Sequence, residues 1–196
     1  LLAFGVDTVS RRQYTIRIKN LETGEVLPDA IPGTSGGSAW ANDSRTLFYT
    51  RNNPQTLLTE RIMRHTVGTS GNADQLVYLE NDNTNYIGVA RSKSGGFLYI
   101  HSSGTLSSEI RYLNADDPTG TFRVFQPRIK DVLYDVIALE DRFLILTNHQ
   151  AKNFRLMECP LDRTGLEHWR EVIPHREDVL LEGVDEFRDF VVLTER

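Results

Sequence analysis

Gly33-Thr34-Ser35-Gly36-Gly37 comes nearest in this sequence to a nucleophile motif. It matches G-x-S-x-G, which works only where a strand turns sharply into a helix and thrusts the serine hydroxyl clear of the backbone. Here "IPGTSGGSAW" runs on into an apolar, strand-like segment, so Ser35 reads as part of a connecting loop and not as a nucleophile. The five histidines, His65, His101, His149, His168 and His175, show no H-x-E, HExxH or paired-cysteine spacing that would hold a metal. His65 and His101 lie in or at the ends of apolar runs, where packing accounts for them. "ENDNTN", Glu80 to Asn85, is rich in oxygen ligands but lacks the sixth-position glycine and the terminal bidentate glutamate of a calcium loop. It reads as a polar connection. Asn42-Asp43-Ser44 has the form of a glycosylation acceptor and is better read as turn chemistry. Arg17 and Lys19 alternate with Ile16 and Ile18 in the cation-rich stretch Arg11 to Lys19, which describes a strand with one wet face. These residues predict no catalytic constellation, no metal site and no cofactor.

The elements that carry them repeat. Trp40 to Asn53 places an apolar run on each side of Asn42-Asp43-Ser44-Arg45, the pattern of a hairpin. The same pattern returns at Tyr86–Ser103, Leu133–His149 and Leu181–Arg196. The first apolar residues after the turns are Leu47, Phe97, Phe143 and Phe190, at intervals of 50, 46 and 47 residues. A third apolar run follows three of the hairpins ("RIMRHTV", "EIRYLNA", "FRLMECP"), and a fourth closes each unit ("QLVYLE", "FRVFQP", "WREVIP"). No segment has a helical apolar period of useful length. Four strands recurring at this interval predict an all-β fold, an arc of a β-propeller built from four-stranded blades. A β-sandwich is the alternative, but it gives no reason for the regular alternation of long and short connections. The expected division is the end of one blade at 1–31, whole blades at 35–82, 86–131 and 132–178, and the start of another at 179–196. That is about four blades' worth.

Bulk properties limit the function. The chain has 196 residues and a formal net charge of −5, which disfavours a sequence-independent grip on nucleic acid. No apolar stretch approaches the roughly 20 residues of a membrane helix, and no membrane partner is expected. The start lacks the basic region of a secretory signal, and the single Cys159 fits a reducing compartment, so the expected location is cytoplasmic. An arc that begins and ends inside blades has open sheet edges, which predicts a piece of a longer polypeptide and self-association through those edges.

Longer segments carry a resemblance. "SRRQYTIRIKNLETGEVLPD", "WANDSRTLFYTRNNPQTLLTERIMRHTVGT", "TNHQAKNFRL" and "WREVIPHREDVLLEGVDEF" together resemble the N-terminal propeller of the prolyl oligopeptidase family of serine peptidases, on its oligopeptidase B branch. The resemblance implies a seven-bladed propeller capping an α/β-hydrolase domain that carries a Ser-Asp-His triad and cleaves short peptides after Arg or Lys. The implied partners are that hydrolase domain, in the full-length chain, and short basic peptides. No catalytic residue of the family falls on these residues, so the arc by itself is expected to be inactive. Glu109 stands where the resemblance places an Arg that prolyl-specific relatives turn toward the cleft, so the family pattern is broken there. Glu109 is the expected substrate or interdomain contact, with an ordinary exposed strand glutamate as the alternative. A stand-alone propeller that binds a protein partner is the alternative function.

Overall fold

A computed structural model describes all 196 residues, and every regular element longer than one turn is a strand. The sixteen strands are β1 (Leu2–Val6), β2 (Tyr14–Lys19), β3 (Val26–Trp40), β4 (Thr46–Asn52), β5 (Thr59–Thr66), β6 (Gln75–Leu79), β7 (Tyr86–Arg91), β8 (Phe97–Ser103), β9 (Ser108–Asn114), β10 (Arg123–Gln126), β11 (Tyr134–Ala138), β12 (Arg142–Thr147), β13 (Arg155–Pro160), β14 (Arg170–Ile173), β15 (Leu181–Glu186) and β16 (Val191–Glu195). Each pairs antiparallel with its neighbours in sequence: β1 to β6 form one sheet, β7 to β10 a second, β11 to β14 a third, and β15 with β16 a fourth. This is the up-and-down meander of propeller blades.

The second strand of each complete unit explains the strength of the sequence signal. β4 is buried from Thr46 to Thr50, and β12 from Phe143 to Ile145, because a neighbouring unit covers each face. Continuous apolar runs at these places are what a strand buried on both sides requires. β2, by contrast, buries Ile16 and Ile18 and leaves Arg17 exposed. Phe190 departs from its counterparts. Leu47 and Phe143 are fully buried, but Phe190 sits in the turn before β16 and is 60% exposed.

One expectation needs correction. The stretch around Ser35 is not a loop but part of β3, a single strand of 15 residues. Its first half pairs with β2 (Arg17 with Ala30, Ile16 with Ile31) and its second half with β4 (Ala39 with Phe48, Trp40 with Leu47). Thr34 has partners on both sides, Tyr14 and Arg51. Gly33 and Gly36 make the transfer possible, with φ of 71° and 87°. Side chains resist that conformation, and a Cβ on Gly36 would also lie 3.3 Å from the Tyr14 ring. The 31/35 boundary read from the sequence therefore lies within one strand, and the first two units share a sheet.

Hydrophobic clusters fill the seams between successive units. Ile16, Ile18 and Ile31 meet Leu47, Tyr49 and Met63 in the first seam. Phe48 and Ile62 meet Ile87, Leu98 and Phe122 in the second. Tyr112 and Phe125 meet Tyr134, Phe143 and Trp169 in the third. Leu144 and Leu156 meet Leu181 in the fourth.

Candidate functional site

The richest convergence of charged side chains between the second and third units lies where β6 ends and β8 turns into β9. Glu80 follows β6, Ser102 is near the end of β8, Glu109 and Arg111 open β9, and Arg128 follows β10. The Ser102 hydroxyl donates to Glu80, and the Tyr78 hydroxyl donates to the same oxygen at 2.8 Å. Arg128 binds the Ser102 hydroxyl oxygen through Nη2 at 2.7 Å and the Ser107 carbonyl through Nη1 at 3.2 Å. Its guanidinium is 3.7 Å from Glu80. Burial pushes the Glu80 carboxyl up, but the hydrogen bonds from Ser102, the Asp82 N–H and Tyr78, with the nearby Arg128 charge, hold it below the usual range. Burial and the bond to Glu80 push the Tyr78 phenol up. Arg111 lies 4.8 Å over the Tyr78 ring, a cation–π contact that closes the group.

Glu109 belongs to this cluster. One oxygen accepts from Arg111 Nη2 at 2.9 Å and the other from the Arg128 N–H at 3.2 Å. Its side chain is 15% exposed. The cluster thus clasps two units and presents a partly exposed carboxylate and two guanidinium groups. Its one hydroxyl–base contact is Ser102 on the Glu80 carboxylate, which is held below its usual range and is therefore a weak base, and no histidine bonds to Ser102.

The other residues raised by the sequence do not converge. Ser35 Oγ is 2.6 Å from Thr50 Oγ1, whose hydroxyl can donate to the Gly37 carbonyl at 3.1 Å, so Ser35 is tied into the β3–β4 pairing. His65 is fully buried between Asp29, 2.9 Å from Nε2, and Asp74, 2.7 Å from Nδ1. The Gly68 N–H also donates to Asp29, and the Tyr49 hydroxyl donates to Asp74 at 2.8 Å while accepting from Arg51 at 2.6 Å. Burial pushes the imidazole of His101 down against the opposing charge of Asp135, and burial followed by Arg155 lowers His149. His168 lies 3.5 Å from Glu167 at the surface. Within "ENDNTN", Asp82 accepts from the N–H and hydroxyl of Thr84, which makes a tight turn. The Asn42 amide donates to Asp116 at 2.7 Å and to the Gly95 carbonyl, tying the second unit to the third.

Sequence reasoning missed Ser102, Arg128 and the role of Glu80. Ser102 and Arg128 are 26 residues apart, and each alone looks like ordinary surface chemistry.

The family model of the prolyl oligopeptidase N-terminal β-propeller domain matches residues 1–196. The chain belongs to that family. It is 44% identical to dipeptidyl aminopeptidase BI of Pseudoxanthomonas mexicana, over 100% of this chain and 27% of that protein. With protease 2 of Moraxella lacunata the identity is 34%, over 94% of this chain and 26% of the relative. The solved structure of oligopeptidase B from Leishmania major matches with a TM-score of 0.90 and 28% identity, covering 99% of this chain and 27% of that one. Oligopeptidase B from Trypanosoma brucei, in a closed form with covalently bound antipain, matches at a TM-score of 0.87 and 27% identity. The chain spans about a quarter of the length of these relatives. It is therefore the propeller type found in peptidases of the prolyl oligopeptidase family.

Proposed function

We propose that this chain is the substrate-gating propeller portion of an oligopeptidase B-like serine peptidase that hydrolyses short peptides after Arg or Lys. The observation that carries the reading is the match along the whole chain to oligopeptidase B structures, of which it covers 27%. The propeller alone is inactive in this reading, and the triad lies in an α/β-hydrolase domain of the same polypeptide. Stacked blades give a rigid cap, and a rigid cap admits only peptides small and flexible enough to pass while excluding bulk water from the acyl-transfer step. The setting is cytoplasmic, supported by a lone Cys159 that is buried as a free thiol.

Glu109 is the proposed contact with substrate or with the hydrolase domain. A cationic peptide would meet its carboxylate in competition with Arg111, so the residue acts through a shared charge and its effect is modest.

The test recovers the native protein with an antibody against this segment and labels it with a fluorophosphonate serine probe. A labelled species much larger than 22.3 kDa supports the peptidase reading. An unlabelled species near 22.3 kDa overturns it in favour of a stand-alone interaction propeller.

A further inference from the structure

The Arg128 guanidinium stands between carboxylates of two different units. Glu80 ends the second unit and lies 3.7 Å from it. Glu109 belongs to the third, and one of its oxygens accepts from the Arg128 N–H at 3.2 Å. Ser102 and Glu109 are direct partners in the β8–β9 ladder, so their side chains leave the same face of the sheet. Arg128 Nη2 bonds the Ser102 hydroxyl oxygen at 2.7 Å and the Ser102 carbonyl at 3.2 Å, which brings its charge alongside Glu109 as well as against Glu80.

The local charges come in equal numbers. Glu80 and Glu109 face Arg111 and Arg128, while Asp82, in the link between the two units, is taken up by the N–H and hydroxyl of Thr84. With two cations for two anions, neither carboxylate strengthens its hold on a guanidinium without weakening the other's. The four side chains are between 11% and 29% exposed, so water screens this competition only in part. Its two outcomes differ for the fold. A contact with Glu80 crosses the seam between the second and third units, and one with Glu109 stays inside the third. Arg111 is divided in the same sense, because it pairs with Glu109 while lying over the Tyr78 ring of the second unit.

We propose that Arg128 is a shared guanidinium, contested by Glu80 and Glu109, that couples the charge on Glu109 to closure of the seam between the second and third units. Neutralising Glu109 hands Arg128 to Glu80 and tightens the seam; removing Glu80 loosens it. A basic group arriving on Glu109 acts as neutralisation does, so occupancy of that carboxylate and closure of the seam favour each other, as linked equilibria must. This last step rests on the contact proposed for Glu109 above, and the coupling itself does not. A static brace behaves differently, since it weakens whichever carboxylate is lost.

The test reads seam opening with a thiol in the full-length protein. Ala115 is fully buried in the apolar cluster of this seam, so in Ala115→Cys the rate of iodoacetamide labelling at position 115 measures the opening. Cys159, in the third seam, is followed in the same digest. Glu80→Gln is expected to speed labelling at position 115 about threefold and Glu109→Gln to slow it about threefold, on the scale of a partly exposed ion pair. In an Arg128→Gln background Glu109→Gln is expected to have no effect. A variant that merely loosens the fold speeds both thiols, and slowing cannot come from misfolding. Unchanged or faster labelling in Glu109→Gln, or slowing that survives in Arg128→Gln, overturns the proposal. The labelling is then repeated with N-acetyl-D-argininamide and its citrulline counterpart. The arginine compound alone is expected to slow it, and only where Glu109 is present. If the variants behave as expected and the arginine compound has no effect, the contact assigned to Glu109 falls and the coupling stands.

Discussion

The first and third seams join adjacent units by opposite means. In the first, Asp29 on β3, His65 on β5 and Asp74 before β6 form a fully buried charged chain that extends through Tyr49 to Arg51. In the third, the Phe143 ring meets Phe97, Tyr112 and Phe125 with centroids 5.0–5.7 Å apart, and Tyr134 meets Trp169 edge to face. The aromatic seam gains from area and quadrupole geometry, and each ring contributes whatever its neighbours do. The charged seam gains little net energy, because desolvation offsets attraction, but it penalises any loss of a partner heavily. One seam is held by quantity and the other by completeness.

The sharpest way to break that comparison is a pair of substitutions. Phe143→Ala and His65→Leu should each lose about 3–5 kcal/mol at pH 7, the first by leaving a cavity and the second by taking the imidazole from between two buried carboxylates, which keep only the Gly68 N–H and the Tyr49 hydroxyl as side partners. Urea unfolding at pH 7 and pH 4.5 separates them. The His65→Leu deficit should shrink in acid, as the stranded carboxylates take up protons, and the Phe143→Ala deficit should not. Equal pH dependence would refute the distinction.

The unsubstituted protein should show the same asymmetry on the acid side. Burial raises the Asp29 carboxyl, but hydrogen bonds from the Gly68 N–H and His65 outweigh it and leave the group below its usual 3.8. A depressed carboxyl contributes stability that is present above its unfolded value and lost as pH falls through the folded one. Acid should therefore loosen the first seam below about pH 4. Each seam has its own reporter, since Trp40 packs against the first cluster and Trp169 belongs to the third. In Trp169→Phe the fluorescence of Trp40 should change at a higher pH than that of Trp169 does in Trp40→Phe.

Tyr134→Phe sharpens the aromatic side, with an expected loss of about 1–3 kcal/mol. Its hydroxyl donates to the Gln126 carbonyl at 2.7 Å and accepts from the Ile110 N–H at 2.8 Å, so the substitution orphans a buried donor. Burial raises this phenol, and a raised acid stabilises the fold below its unfolded value, near 10, and ceases to do so as pH climbs past it. Tyr49 is raised for the same first reason, so alkali should loosen both seams and only acid should tell them apart.

Cys159, in the third seam, offers a reading without substitution. Burial, then the neighbouring Glu158, pushes its thiol up to about 12. It should resist iodoacetamide at pH 8 until that seam opens, and its labelling rate then measures the opening. The smallest effects belong to the polar candidates. Under the proposed function, Glu109→Gln should raise KM of the whole peptidase for arginine peptides by about twofold, on the scale of a partly exposed ion pair, and Ser35→Ala should leave stability within about 0.5 kcal/mol.

Much of this architecture was legible in the sequence. Leu47, Phe97 and Phe143 mark second strands because burial on both faces demands continuous apolar runs, and Asn42-Asp43-Ser44 and Ser94-Gly95-Gly96 mark the turns before two of them. Ser35 was misplaced because a glycine-rich stretch ordinarily means a loop, whereas Gly33 and Gly36 here let a strand bend and continue. The seam chemistry was out of reach for another reason. Asp29 and His65 are 36 residues apart, and Glu80 and Ser102 are 22 apart. No local pattern distinguishes a histidine that will be clamped between carboxylates from one that will lie at the surface.

The strand shared by the first two units has a mechanical meaning. A ring of blades joined by flexible connections can be nicked, stretched or lengthened at any junction, as the polar turn 80–85 would allow after β6. At β3 there is no such hinge: the ladder to β2 passes directly into the ladder to β4. A load that peels the first unit away is delivered in shear to the hydrogen bonds of the second. These two units should yield together as one body, while the units beyond keep the freedom to separate singly.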